Sequence, residues 1–203
     1  MLSVALTGNV AAGKTTVAAW WRAWGGTVIE ADTLVREVQA PGSLVLARIG
    51  ERFGDAVIRD DGTLDRAALR RIVFADGESR AALNAIVHPA VQQRRAVLLA
   101  DAAARGERLV VSDIPLLFEA LDPADFDVIV LVDAPDAVRR ERLIRDRGLL
   151  PDEADRLMAA QLPSGPKRAR SDIVIDNAGS PDTLREAAAE AWKRLLDLAE
   201  PPA

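Results

Sequence analysis

The segment of residues 8–15, GNVAAGKT, constrains the fold of this chain more than any other feature. We call it the phosphate loop, because it fits the pattern G-x-x-x-x-G-K-[ST], in which glycines let a loop turn its backbone N–H groups toward an anion. An apolar, strand-like run, Leu2–Thr7, precedes the loop, and residues 14–24 have the periodicity of a helix. This order of strand, loop and helix binds phosphate at a helix N-terminus, so the sequence predicts a nucleotide-binding α/β protein.

The last residues of the loop carry the charge and hydroxyls that phosphate chemistry needs. Lys14 supplies a mobile positive charge for the β- and γ-phosphates, and the Thr15 hydroxyl is the expected ligand of Mg²⁺. The Thr16 hydroxyl either approaches the α-phosphate or simply faces the helix.

Four further short apolar runs predict the rest of a parallel sheet, at residues 27–31, 108–112, 127–133 and 172–176. Helical segments interrupt this sheet between the second and third strands and again between the fourth and fifth. Small-molecule kinases with a phosphate loop place an acceptor-binding module and a lid at comparable positions, which is an analogy of fold only.

Local signals predict several boundaries inside the helical segments. Asp65 is predicted to cap a helix over residues 66–74. His88, the only histidine, precedes Pro89, which predicts a turn before a helix over residues 90–104 and favours a structural histidine. Further predictions are breaks at residues 41–42 and 60–62, a loop over 162–169, a last helix over 181–199 and a loose tail over 200–203.

Acidic residues follow two of the predicted strands. Asp32 comes directly after the second strand, where parallel strands end at a ligand crevice. It either accepts a proton from an acceptor hydroxyl or caps the helix that follows it. Asp113 ends the third strand and either holds Mg²⁺ through water, the preferred interpretation, or caps the next turn. The spacing of Glu119 favours a helix surface.

Composition excludes several classes of protein. The absence of cysteine rules out disulfides and thiol catalysis, and the net charge of -5 argues against nucleic acid as the main partner. No apolar run is long enough to predict a transmembrane helix. We therefore expect a cytoplasmic protein, and we predict no nucleic acid, membrane or obligate protein partner. Five arginines lie within residues 139–147, either as a solvated helix face or, in part, as cations that reach a transferring phosphate.

Together these motifs resemble the dephospho-CoA kinase family. The phosphate loop is followed, in the family's order and spacing, by EAD at 30–32, PG at 41–42, FG at 53–54, DGTLDR at 61–66, VF at 73–74, LN at 83–84, HP at 88–89, PLLFE at 115–119, Gln161 and IDNAG at 175–179. The resemblance spans about residues 2–199. The DG-x-LDR, LN-x-x-HP and PLLFE strings are its specific part.

The resemblance implies a P-loop NTPase fold, with a parallel five-stranded sheet flanked by helices, and transfer of phosphate from ATP, with Mg²⁺, to dephospho-CoA. It implies one domain, with a core of about residues 1–31, 107–135 and 171–199, an acceptor-binding helical insertion of about 32–106, and a helical lid of about 136–170. The implied ATP-binding residues are Gly8, Ala11, Ala12, Gly13, Lys14, Thr15, Thr16 and the lid arginine Arg142. The implied substrate-binding residues are Asp32, which would act as the base, with His88, Pro115 and Leu116.

The chain departs from the family pattern at two places. The family loop usually reads GGIGSGKS, so Asn9 replaces a common glycine and Ala11-Ala12 replace Gly-Ser, which predicts an altered nucleotide fit. A second lid arginine is common four residues after the first. Asp146 occupies that position here, between Arg145 and Arg147, and either neighbour could substitute.

Other classes remain as alternatives. Kinases of nucleoside monophosphates, shikimate or gluconate share the loop and lid but should lack the LN-x-x-HP and PLLFE strings. A GTPase needs an [NT]-K-x-D motif, and none of the three lysines lies in one. A scaffold without activity is hard to reconcile with Lys14, Thr15 and Asp32.

Overall fold

A computed structural model describes residues 1–200 and contains one five-stranded sheet. Its strands are β1 (Leu2–Thr7), β2 (Thr27–Glu30), β3 (Leu109–Asp113), β4 (Val128–Asp133) and β5 (Ile173–Asp176), in the spatial order β2-β3-β1-β4-β5. The pairs β1–β3, β1–β4 and β4–β5 are parallel. The predicted α/β fold is confirmed, with small shifts at the strand ends. The last three residues of the predicted tail, 201–203, lie outside the described residues.

The register of the sheet brings the ends of several strands to one edge. Leu6 of β1 pairs with Asp113, the last residue of β3, and Asp133 pairs with Asp176 at the ends of β4 and β5. Every residue of β3 and β4 is buried, as in parallel sheets that helices cover on both faces. The phosphate loop leaves β1 at this same edge, so it lies where α/β proteins bind ligands.

Ten α-helices lie within residues 1–200: α1 (Lys14–Ala23), α2 (Ala31–Val38), α3 (Leu44–Phe53), α4 (Arg66–Ala75), α5 (Gly77–Ala104), α6 (Leu117–Ala120), α7 (Asp136–Arg147), α8 (Pro151–Ala159), α9 (Ser164–Arg168) and α10 (Pro181–Leu198). Single turns of 3₁₀-helix lie at Asp55–Val57 and Pro123–Asp125. Among the helices of the described chain, none is both long enough and apolar enough to cross a membrane.

The chain forms two compact units. The first comprises Met1–Ile29 and the chain from Ala102 onward, and its core is built from β1, β3, β4 and β5 with one face each of α1 and α10. Trp21 of α1 is fully buried there, its ring centroid 5.5 Å from that of Trp192, as expected for an apolar helix face. The second unit, Glu30–Asp101, has a separate core that includes Leu46, Ile49 and Val57.

Asp65 caps α4, as predicted. Its carboxylate accepts hydrogen bonds from the backbone N–H groups of Ala67, at 3.0 Å, and Ala68, at 2.9 Å. These two donors have no partner within the helix, so the cap satisfies them. The Ala68 hydrogen bond is the main reason that the pKa of Asp65 lies below its usual value.

Two boundary predictions are wrong. The predicted turn at residues 88–89 does not occur, because α5 runs through Pro89. Proline cannot donate to the carbonyl four residues earlier, that of Ala85, but both residues are exposed and water can satisfy this carbonyl. Residues 162–169, predicted as a loop, contain α9. The glycine and prolines of this segment are typical of a loop, so the sequence pattern did not predict the helix. The contacts of α9 with the sheet edge are described below.

Candidate active site

The two glycines of the motif are required by packing as well as by the turn. A Cβ atom on Gly8 would lie 2.5 Å from the carbonyl oxygen of Val132. One on Gly13 would lie 2.3 Å from Asn177 Nδ2. Gly13 also has a φ of 102°, a conformation that side chains disfavour. Substitution of either glycine would therefore displace the loop from the edge of β4 or from the chain after β5.

Ala11 is the only non-glycine residue in the described chain with a positive φ, at 60°. This left-handed conformation costs a residue with a Cβ atom about 1–2 kcal/mol. Ala11 stands where the resembled family usually has glycine, so the backbone explains that preference. The chain keeps the loop conformation at the expense of local strain.

The loop backbone forms a cradle for an anion. Its internal turn is closed by the N–H of Ala12, which donates to Asn9 O at 3.0 Å. By contrast, the N–H groups of Ala11 and Gly13 donate no hydrogen bond within residues 1–200. Unengaged N–H groups in such a turn, at the start of α1, create a concave site of positive potential. The arrangement suits the phosphates of a nucleotide.

Lys14 projects from the start of α1 and forms an ion pair and hydrogen bond with Asp113 at the end of β3. The two side chains are only 12% and 11% exposed. An ammonium group held in a largely desolvated position beside the cradle interacts with a phosphate more strongly than it would in water. Thr15 and Thr16 follow Lys14 and are exposed, so their hydroxyls are accessible to a ligand.

The same place suits Mg²⁺ in its donor chemistry. Thr15 offers a hydroxyl, and Asp113 offers a carboxylate that lies against the loop lysine. Mg²⁺ prefers such oxygen ligands and usually takes few from the protein, with phosphates and water supplying the others.

Arg142 of α7 is attached to the phosphate loop. Its guanidinium donates to the backbone oxygen of Ala11 at 3.3 Å, and to the backbone and side-chain oxygens of Asn177 at 3.1 and 3.2 Å. Asn177 in turn donates from Nδ2 to Ala12 O at 2.8 Å. The solvated-face interpretation is therefore wrong for Arg142, which lies at the edge of the phosphate cradle.

The remaining arginines of α7 differ in environment. Arg139 is 3% exposed and donates to Ala134 O and Asp136, so it has a structural role. Arg140 forms an exposed two-fold hydrogen bond with Asp155 of α8, which raises the pKa of Arg140 and lowers that of Asp155.

The two candidates for the second lid arginine also differ. Arg145 is engaged by Glu141 and Asp146. Arg147 is exposed and forms no ion pair within the part of the chain that is described. Arg147 is therefore the one of the two whose charge is available to a ligand.

The acceptor-side residues are placed as follows. Asp32 and His88 lie in the second unit, and Asp32 is exposed in the first turn of α2. The alternative that Asp32 caps this helix is wrong, because α2 begins at Ala31 and Glu30 holds the cap position. Pro115 and Leu116 follow β3, and Leu116 is 43% exposed. Their roles toward a substrate stay predictions.

Sequence reasoning missed a second element that contacts the phosphate loop, residues 161–168, which we call the strap. Gln161 Oε1 accepts from the N–H of Val10 at 2.8 Å, and Asn9 Nδ2 donates to Leu162 O at 3.2 Å. Asn9, the departure from the family loop, thus makes a contact that glycine could not. The predicted boundaries assigned the strap to the lid.

Polar residues of the strap form hydrogen bonds and ion pairs with the edge of the sheet. Ser164 Oγ donates to Asp133 Oδ1 at 2.7 Å, and Arg168 donates to Asp133 at 2.9 Å and to Asp176 at 2.6 Å. These carboxylates, Asp176 first, raise the pKa of Arg168. Lys167 Nζ lies 2.7 Å from Glu119 Oε1, so Glu119 is not merely a helix-surface residue. The scarcity of lysine in this sequence was a signal for Lys167.

The phosphate cradle with its lysine, on a parallel sheet with an attached arginine helix, defines a P-loop kinase. The sequence model of the family described as dephospho-CoA kinase matches residues 2–182. The chain belongs to the dephospho-CoA kinase family and is therefore a phosphotransferase.

Individual relatives agree with this membership. A dephospho-CoA kinase of Anaeromyxobacter dehalogenans is 47% identical over 198 residues, which cover 98% of this chain and 92% of that protein. The crystal structure of a Thermus thermophilus protein is similar with a TM-score of 0.81 and 36% identity, covering 96% of this chain and 97% of the other. The dephospho-CoA kinase of Campylobacter jejuni, 20% identical, shares the fold with a TM-score of 0.75 and covers 98% of both chains.

Proposed function

We propose that this chain binds ATP at the phosphate loop and transfers the γ-phosphate to the ribose 3′-hydroxyl of dephospho-CoA. The products are CoA and ADP, and the reaction is the last step of coenzyme A biosynthesis. The observation that carries the proposal is the pair of unengaged N–H groups of Ala11 and Gly13 beside the largely buried ammonium of Lys14. Membership of the family supplies the acceptor.

In the proposed reaction, Lys14 exchanges its partner. In the structure its charge is balanced by Asp113. The β- and γ-phosphates of ATP carry more negative charge than one carboxylate, so they compete effectively for the ammonium. In phosphoryl transfer the charge spreads over the γ-phosphate oxygens, and Lys14 stabilises that distribution.

Asp32 is proposed to hold and finally take the proton of the attacking 3′-hydroxyl. Asp32 is exposed in the first turn of α2, so its carboxylate is accessible to an acceptor hydroxyl. The transition state of phosphoryl transfer is loose, so much of this contribution is orientation of the hydroxyl. His88, Pro115 and Leu116 are proposed to shape the acceptor site.

Arg142 is proposed to bind the nucleotide from the lid side, because it already lies at Ala11 in the cradle. Thr15 and Asp113 would hold Mg²⁺, Asp113 through water. The ion would neutralise charge on the transferring phosphate when bound.

We also propose that the chain acts in the cytoplasm on small-molecule substrates and without an obligate protein partner.

The decisive experiment is incubation of the purified chain with ATP, Mg²⁺ and dephospho-CoA, with CoA followed by mass spectrometry. Adenylate and shikimate, the acceptors of rival kinases, are tested in parallel by ADP release. We expect CoA to form only when ATP and Mg²⁺ are both present. Efficient phosphorylation of adenylate or shikimate with none of dephospho-CoA would overturn the proposal.

A further inference from the structure

Lys167 is a buried charge that the proposed reaction does not use. Its side chain is 0% exposed, although it belongs to a five-residue helix of the strap. Its ammonium lies 2.7 Å from Glu119 Oε1, in an ion pair rather than a well-directed hydrogen bond. A buried pair of this kind adds little net stability, because desolvation offsets the attraction. Its value to the protein must be sought in what the pair holds in place.

The pair is the first link in a chain of contacts that ends in the phosphate loop. Glu119 Oε1 also accepts from the backbone N–H of Leu162, at 3.1 Å. The carbonyl of Leu162 then accepts from Asn9 Nδ2, at 3.2 Å, and the neighbouring Gln161 accepts from the N–H of Val10, at 2.8 Å. The contacts thus run from α9 of the strap to α6, back to residues 161–162 of the strap, and on to the phosphate loop.

These contacts engage Asn9 and Val10, the residues just before the unengaged N–H groups of the loop. The N–H of Val10 is committed to Gln161, whereas the N–H groups of Ala11 and Gly13 remain for an anion. The direction of successive N–H groups depends on the rotation of the peptide between them. Holding Asn9 and Val10 therefore orients the peptides that follow, including the strained Ala11.

We propose that Lys167 and Glu119 are positioning residues that hold the strap against the phosphate loop and thereby preorganise the ATP cradle. They act through Gln161 and Leu162 rather than by contact with substrate. This inference rests on the proposed function for its readout, but ATP binding alone can test it.

The test uses variants of the full chain. In the double variant Glu119→Leu, Lys167→Met, both charges and the acceptor for Leu162 are removed while apolar volume is kept. Leu162 is 39% exposed, so water can replace the lost partner of its N–H. We expect a melting temperature close to that of the wild type, ATP binding by calorimetry weakened about tenfold, and a KM for dephospho-CoA within about twofold. The variant Glu200→Gln, which breaks the exposed pair with Arg108, is the matched control and should leave both substrates unaffected.

A second variant, which interrupts the same series of contacts at another residue, tests whether these contacts act together on ATP binding. Gln161→Leu removes the acceptor of the Val10 N–H and leaves the ion pair intact. Gln161→Leu should weaken ATP binding when it is made in the wild type. In the double variant it should weaken ATP binding by a clearly smaller factor, because the contacts between the strap and the loop are already disturbed there. Three outcomes would overturn the inference. The folded double variant could bind ATP within twofold of the wild type, or it could lose affinity equally for both substrates. The effect of Gln161→Leu on ATP binding could also add fully to that of the double variant. Wild-type protein that binds ATP but makes no CoA would instead contradict only the proposed function.

Discussion

Replacement of Lys14 by methionine should separate two roles of the phosphate-loop lysine. Lys14 and Asp113 are 12% and 11% exposed, so the substitution removes the ammonium group from beside a mostly buried carboxylate. Breaking such a pair costs about 3 kcal/mol. In a chain of this length that lowers the melting temperature by roughly 6–12 °C. Loss of a charge that stabilises the transition state costs a further ~3 kcal/mol in the barrier, which lowers kcat about 100- to 1,000-fold.

The double variant Lys14→Met, Asp113→Asn distinguishes the two effects. It also removes the negative charge of Asp113, so it should recover most of the melting temperature while kcat for CoA formation stays low. Lys193→Met, the same change at an exposed position of α10, serves as the control and should alter neither quantity. The reasoning fails if Lys14→Met keeps more than a tenth of wild-type turnover. It also fails if Asp113→Asn restores the rate together with the stability.

Three further outcomes follow from the geometry. Arg142→Ala should raise the KM for ATP and lower kcat, with dephospho-CoA binding nearly unchanged in steady-state assays; equal losses for both substrates would indicate a structural arginine. Asp32→Asn should retain the melting temperature, because Glu30 holds the cap position, and lose about 100-fold or more in kcat; wild-type turnover would exclude Asp32 as the base. The lowered pKa of Asp65 means that its stabilising effect is present above its unfolded-state pKa and is lost as pH falls through the folded-state value. Asp65→Asn should therefore flatten the decline in melting temperature below about pH 4; an unchanged pH profile would contradict the cap.

The phosphate loop was predictable because function and local geometry demand the same residues. Gly8 and Gly13 are required by clashes that any side chain would create, and Lys14 by the charge of its ligand. The strands were predictable for a similar reason, since a sheet buried on both faces requires continuous apolar runs. At these positions the local signal and the tertiary structure agree.

Elsewhere the structure depends on contacts between residues that are distant in the sequence, which local sequence patterns do not show. α5 continues through Pro89, although a local rule predicts a break there. Glu119 and Lys167 are far apart in sequence, and only the fold brings the ammonium of Lys167 into contact with the carboxylate. The cap position of α2 is Glu30, two residues before Asp32, and a difference of this size is within the usual uncertainty of a helix end.

The distribution of aromatic residues in the first unit gives the chain an internal optical reporter. The sequence has no tyrosine and four tryptophans, of which Trp20 and Trp21 lie on α1 and Trp24 directly follows it. Trp21 also donates from its indole nitrogen to Ala188 O of α10, at 3.0 Å, and lies against Trp192. Near-ultraviolet emission therefore arises almost entirely around the helix that begins at the phosphate loop. Nucleotide occupancy should be readable from the unlabelled protein as a change in tryptophan fluorescence.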